Sequence, residues 1–199
     1  RIGEGVEIGA RTVVQDGTWI GARTVIGEGV EIHKDTVLYG DIRIGYGAWI
    51  GYGAWIRDRA AIGDYTRIGY GAEIGRDTVI HNDAMIGEGA EICAGAEICE
   101  GAEIPRDRLG VTDCLVINGL GTTKGNHSAI KGEITKLTAL ICDDGLIISI
   151  GCMNKHHGLS VEETEKEIAK KYPDKSHPYY AALTLAKVWY AHRQSTHNS

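Results

Sequence analysis

The chain lacks any apolar run near the ~18 residues that a membrane-spanning helix needs, so no membrane partner is expected. It also lacks a signal-peptide pattern. Cysteine is scarce: Cys93, Cys99, Cys114, Cys142 and Cys152 are odd in number and not framework-spaced. That excludes a disulfide scaffold and favours a reducing compartment. Without a secretion signal, the sequon Asn126-His127-Ser128 is read as unused. The loop Gly121-Thr122-Thr123-Lys124-Gly125 lacks phosphate-loop spacing and reads as a plain turn. Positive charge is sparse over residues 1–105, with nine Lys/Arg against seventeen Asp/Glu; residues 106–199 carry twelve against ten. An acidic first half excludes nucleic-acid phosphate binding along its length.

What the chain does have is a period. An aliphatic residue recurs at every sixth position from Ile2 to Ile104, eighteen times, with no insertion or deletion. A small or β-branched residue sits two places before it, as in Thr12, Thr18, Ala48 and Ala54, and Gly usually follows it, as in Gly3, Gly9, Gly21 and Gly27. A fixed short period over half a chain marks a solenoid. Six matches neither a helix nor one long strand, but it matches a short strand and a tight turn, repeated. The aliphatic residue and the small one two before it then point to the same side. The following Gly is expected to free the backbone for the bend. Arg1 is already in phase with the repeat, so a cap, a partner or a preceding segment is expected to cover the first strand edges.

The pattern [ILV]-G-x-x-[small]-x over residues 1–105 resembles the hexapeptide-repeat, left-handed β-helix family. The resemblance implies triangular coils of eighteen residues, here six of them, stacked to roughly 28 Å at ~4.8 Å per strand. It also implies a homotrimer of prisms side by side.

The period stops at Pro105. A strand is expected from Cys114 to Leu120, then a hairpin of Leu137–Cys142 and Leu146–Ile150 around Asp144-Gly145. Ser160-Val161-Glu162-Glu163 is a capping box for a helix ending near Tyr172-Pro173, with Glu162 and Lys166 as an i,i+4 pair. A second helix runs from near Ser176 to about Arg193 on an apolar stripe of Tyr179, Leu183, Ala186 and Tyr190. Residues 106–199 thus read as a small α+β cap domain. Its Thr138-Ala139 strand, Gly151-Cys152 pair and two helices resemble the C-terminal module of phage- and prophage-encoded hexapeptide-repeat proteins, which implies a cytoplasmic setting in a bacterium or a phage-infected cell.

Most hexapeptide-repeat proteins are acyltransferases, which typically place a His on a loop protruding from a coil. Here no hexad is interrupted, and the coil histidines are His33 and His81, each directly after its aliphatic residue on a different face. Either suits a general base by side-chain type. With no loop to place them, no activity that depends on them is expected. Val14-Gln15-Asp16-Gly17-Thr18-Trp19-Ile20 also resembles a motif of γ-class carbonic anhydrases, but the implied zinc ligands fall on Gly21 and near Lys34 and Tyr39. With no His at any of them, no metal site is expected. Cys93 and Cys99 read as buried thiols at turns, and Cys152 with His156 and His157 as a core Cys before a polar loop.

One surface feature stands out. Trp19, Val37 and Trp55 lie eighteen apart, so they stack coil on coil; Val13, Trp49 and Met85 have the same outward role on another face, at every second coil. Tyr46, Tyr52, Tyr65 and Tyr70 lie in the same middle coils with Arg43, Arg57, Arg59 and Arg67. Exposed aromatics among arginines suggest a trimer contact, or a site where a small anionic or nucleotide-like ligand stacks on Trp and Tyr. The sequence therefore points first to a non-catalytic homotrimeric β-helix of phage type, structural or ligand-sequestering and without a cofactor. A hexapeptide-repeat acyltransferase using acetyl-CoA or another acyl-CoA is the alternative.

Overall fold

A computed structural model describes residues 1–117, 137–142, 145–150, 159–173 and 178–197. The expected loop at 121–125, the sequon, and the Cys152, His156 and His157 group lie outside them. Strands β1 (Glu7–Ile8) to β14 (Met85–Ile86) are two-residue strands that begin six residues apart. β15 (Glu91–Ile98) and β16 (Glu103–Ile104) complete the repeat. Each strand pairs in parallel with the one eighteen residues on, as Glu7↔Val25, Glu31↔Trp49 and Val37↔Trp55. The result is a left-handed parallel β-helix of about six coils followed by a small helical region.

The aliphatic column is the core. Ile20, Ile32, Leu38, Ile50, Ile56, Ile68, Ile74 and Ile98 are fully buried. Each contributes about 1.5–3 kcal/mol of transfer free energy, offset by chain entropy. In the first coil the column is less covered, and Ile2 is 62% exposed. The positions two before the aliphatic column hold mostly Ala or Thr, with Val30 and Ile42 also buried there. A buried hydroxyl needs a partner, and it finds the carbonyl fifteen residues on: Thr36 Oγ1 donates to Gly51 O at 3.0 Å, and Thr66 Oγ1 to His81 O at 3.2 Å.

The bend is made differently from the sequence expectation. Every sixth residue from Gly5 to Asp107 has positive φ, and half of these are not Gly: Arg11, Arg23, Asp35, Asp41, Arg59, Tyr65, Asp77, Asp83 and Asp107. That position lies three residues after the aliphatic one. The Gly directly after the aliphatic residue serves close stacking instead. A Cβ at Gly69 would meet the Glu88 nitrogen of the next coil at 2.5 Å.

β17 (Val111–Ile117) starts three residues before the expected Cys114, because it pairs in parallel with β15 as soon as the last turn ends. β18 (Leu137–Cys142) and β19 (Gly145–Ile150) form the expected antiparallel pair, followed by β20 (Leu159–Ser160). α1 (Val161–Lys171) carries the capping box, with Ser160 as N-cap and Glu163 reaching back to it, and Lys166 pairs with Glu162 at 3.0 Å. α2 (Pro178–His197) runs past Arg193 and buries Tyr179, Ala182, Leu183 and Ala186. Alternation along β18 explains the joint. Leu140 and Cys142 join the coil core, whereas Leu137 and Ala139 pack with Ile168 and α2. The C-terminal sheet therefore lies between coil and helices.

Candidate functional site

The candidate aromatics and arginines do not form one site. Coil stacking sorts them into separate columns. Trp49 stands outward between Glu31 and Arg67. His33 packs on it at a centroid distance of 4.6 Å, Tyr70 at 5.5 Å, and the Arg67 guanidinium lies 5.5 Å from its ring. Tyr52, at the next corner of the same coils, lies under Lys34 at 5.4 Å. A second column has Trp19 edge-on to Tyr39 at 5.6 Å, with Arg57 over Tyr39 at 5.9 Å and 3.4 Å from Glu73. Trp55 stands outward between Val37 and Glu73. Tyr46 contacts Tyr65 at 5.3 Å. Arg43 sits between Val25 and Ala61, in a shallow groove with Arg23, Asp41 and Arg59.

That groove borders a ladder. Arg23 grips Asp41 through Nε and Nη2 at 2.6 and 2.7 Å, and Arg59 grips Asp77 at 2.6 and 2.7 Å. All four share one corner at eighteen-residue spacing. The hydrogen bond from each arginine holds the Asp41 and Asp77 carboxyls below their usual range.

The two histidines differ. His33 Nε2 is buried, has no hydrogen-bond partner among the described residues, and lies 4.0 Å from the Glu31 carboxylate. His81 Nε2 lies 2.9 Å from Glu97 Oε1. Glu97 in turn lines a cleft of about 350 Å³, with Gly95, Thr112, Asp113, Ile141, Arg193 and Gln194. Arg193 Nε reaches Asp113 Oδ2 at 3.0 Å across this cleft. The cleft thus lies where the last coil, β17, β18 and α2 converge.

Sequence reasoning missed Glu97, which projects outward on the coil after His81. The signal was available as a separation of sixteen, one coil less two residues. It also missed the thiol contact: Cys99 is half-buried and touches Cys114, fifteen residues on. Cys93 is half-buried as well, rather than buried as expected. Among the described residues, no group of three or more His, Cys, Asp or Glu converges as a metal site, and no helix is long and apolar enough to cross a membrane.

Residues 1–34 match the family described as bacterial transferase hexapeptide (six repeats). No curated protein matches the chain. Solved structures resemble it in part. A perosamine N-acetyltransferase mutant from Caulobacter crescentus, in complex with CoA and GDP-perosamine, is 20% identical with a TM-score of 0.49, over 54% of this chain and 51% of that one. The acetyltransferase domain of PglB from Neisseria gonorrhoeae, in complex with acetyl coenzyme A, is 25% identical with a TM-score of 0.42, over 52% and 50%. UDP-N-acetylglucosamine O-acyltransferase (LpxA) from Moraxella catarrhalis is 15% identical with a TM-score of 0.36, over 52% and 57%. The chain spans about half the length of the solved structures it matches.

Proposed function

We propose that the chain is a CoA-dependent acyltransferase in which His81 is the general base. One observation carries this reading: the His81–Glu97 contact at 2.9 Å, whose Glu97 lines the cleft between last coil and C-terminal sheet. A base needs a second group to fix its ring. With Nε2 donating to Glu97, the Nδ1 lone pair is the free proton acceptor. It would take the proton from an acceptor amine or hydroxyl as that atom attacks the thioester carbonyl. The C–S bond then breaks, and the CoA thiolate leaves and is protonated. Coil stacking supplies this pair without a protruding loop, which removes the sequence argument against it. The transferase name of the matching family supports the same reading. A cytoplasmic setting, where acyl-CoA donors occur, belongs to it.

The test is release of the CoA thiol from acetyl-CoA across a panel of amino-sugar and hydroxyl acceptors. His81→Asn should lose about 10²–10⁴-fold in rate, with Glu97→Gln in between. A wild-type chain that neither binds nor consumes any acyl-CoA sinks the reading.

The aromatic columns favour a second reading, a homotrimer of phage or prophage type that binds a small anionic or nucleotide-like ligand along its seams. Its support is Trp49 with His33, Tyr70 and Arg67 around it. Native mass spectrometry of the purified protein, showing a trimer with a retained small molecule and no turnover, would favour it.

A further inference from the structure

Cys99 and Cys114 meet where the β-helix hands over to the C-terminal sheet. Cys99 directly follows β15, and Cys114 lies in β17, whose Asp113 pairs with Glu97 of β15. The Cys99 N–H donates to Cys114 Sγ at 2.8 Å, and Cys99 Sγ donates to the Cys114 carbonyl at 2.9 Å. Each sulfur thus sits against the other residue's backbone. Two thiols fifteen residues apart in sequence are held side by side by the parallel pairing of their strands.

Their surroundings are unequal. Cys114 is 4% exposed, whereas Cys99 is half-buried beside the cleft wall of Glu97 and Asp113. The hydrogen bond from Cys114, and more weakly His81 on the preceding coil, hold the Cys99 thiol below its ordinary range. The contact with Cys99 and burial push the Cys114 thiol up. A half-buried thiol beside the cleft, next to a buried one, is the arrangement of an attacking and a resolving cysteine.

We propose that Cys99 and Cys114 form a thiol–disulfide exchange site whose oxidant is a small disulfide such as oxidised glutathione. The Cys99 thiolate attacks one sulfur of that disulfide. The small S–S bond breaks, one glutathione thiolate leaves and takes a proton, and a mixed disulfide remains on Cys99. Cys114 then loses its proton and attacks Cys99 Sγ. The mixed disulfide breaks, a second glutathione leaves, and a Cys99–Cys114 bond closes. One small disulfide is reduced to two thiols while the two protein thiols are oxidised. The new bond ties β17 to the last coils, next to the cleft that holds Glu97.

The test uses the reduced full chain, oxidised glutathione, and peptide mapping without reductant. Tryptic cleavage at Arg106 and Arg108 puts the two cysteines on separate peptides, so only a disulfide joins them. Wild type should yield that joined pair with no glutathione retained. Cys114→Ser should keep one glutathione on Cys99, and Cys99→Ser should keep none on Cys114. A wild-type chain that gives no joined pair, or joins other cysteines instead, overturns the proposal. A second measurement covers the case in which Cys114→Ser does not fold. Limiting iodoacetamide on reduced wild type should label Cys99 before Cys93, Cys114 and Cys142, and equal labelling would also overturn it.

Discussion

Arg59 holds Asp77 by two parallel hydrogen bonds of 2.6 and 2.7 Å, although both residues sit at positive φ, at 62° and 59°. A left-handed corner repeated every coil brings two long polar side chains into register, and a fork-to-carboxylate pair is what that register favours. The pair is exposed, so its contribution is small and salt-sensitive.

The Asp77 carboxyl should titrate below the ordinary range in wild type, because the hydrogen bond from Arg59 favours its charged form. The stabilisation is then present above the unfolded-state value of about 3.9 and lost as pH falls through the lower folded value. Arg59→Gln should raise the Asp77 midpoint. Carbon-detected NMR of the carboxyl follows it, and an unchanged midpoint would mean that the pair does not persist in solution.

Two glycines two residues apart should respond differently to alanine. Gly71 has φ +63° and nothing within 4 Å of an added Cβ, so Gly71→Ala should cost about 1–2 kcal/mol in backbone strain alone. At Gly69 the Cβ would meet backbone at 2.5 Å, so the coils must separate there and the loss should be larger. Thermal melts of both variants decide the order. A Gly69→Ala protein as stable as Gly71→Ala would contradict the stacking account.

The outward columns predict association. Trp19→Glu with Trp55→Glu should lower the sedimentation coefficient if these faces are the trimer seam. An unchanged oligomer removes both residues from the interface.

Ser160→Ala should cost about 1 kcal/mol through loss of the N-cap of α1, whose side chain accepts from the Glu163 N–H. Chemical denaturation measures it, and a neutral result would show that α1 is held by the packing of Ile168 against β18 and α2.

The aliphatic column was legible in the sequence because one buried residue per hexad leaves an unbroken period. The hairpin and the capping box were legible because they are local. The roles of the two glycine positions were not, since a required αL conformation and a required absence of Cβ both select Gly. The nine non-Gly residues at the corner, Arg23, Asp41, Arg59 and Tyr65 among them, tell them apart. The His81–Glu97 contact is visible in the sequence only through the coil spacing, and the Cys99–Cys114 contact depends on how β17 stacks on β15, which lies beyond the repeat. The aromatic set separates by face, as the eighteen-residue spacing implied. Trp19 and Trp49 lie on different faces, and only the eighteen-residue register assigns each its companions.

The alternation Arg23, Asp41, Arg59, Asp77 gives the rod a parity. Every coil is interchangeable with the next in backbone terms, so excising eighteen residues leaves a shorter prism in phase. Excising 41–58, however, seats Arg59 over Arg23, like charge on like. Excising 41–76 seats Asp77 there and restores the grip. Between Arg23 and Asp77 charge therefore favours double steps over single ones by a small, salt-sensitive margin, on a scaffold whose core is indifferent to it.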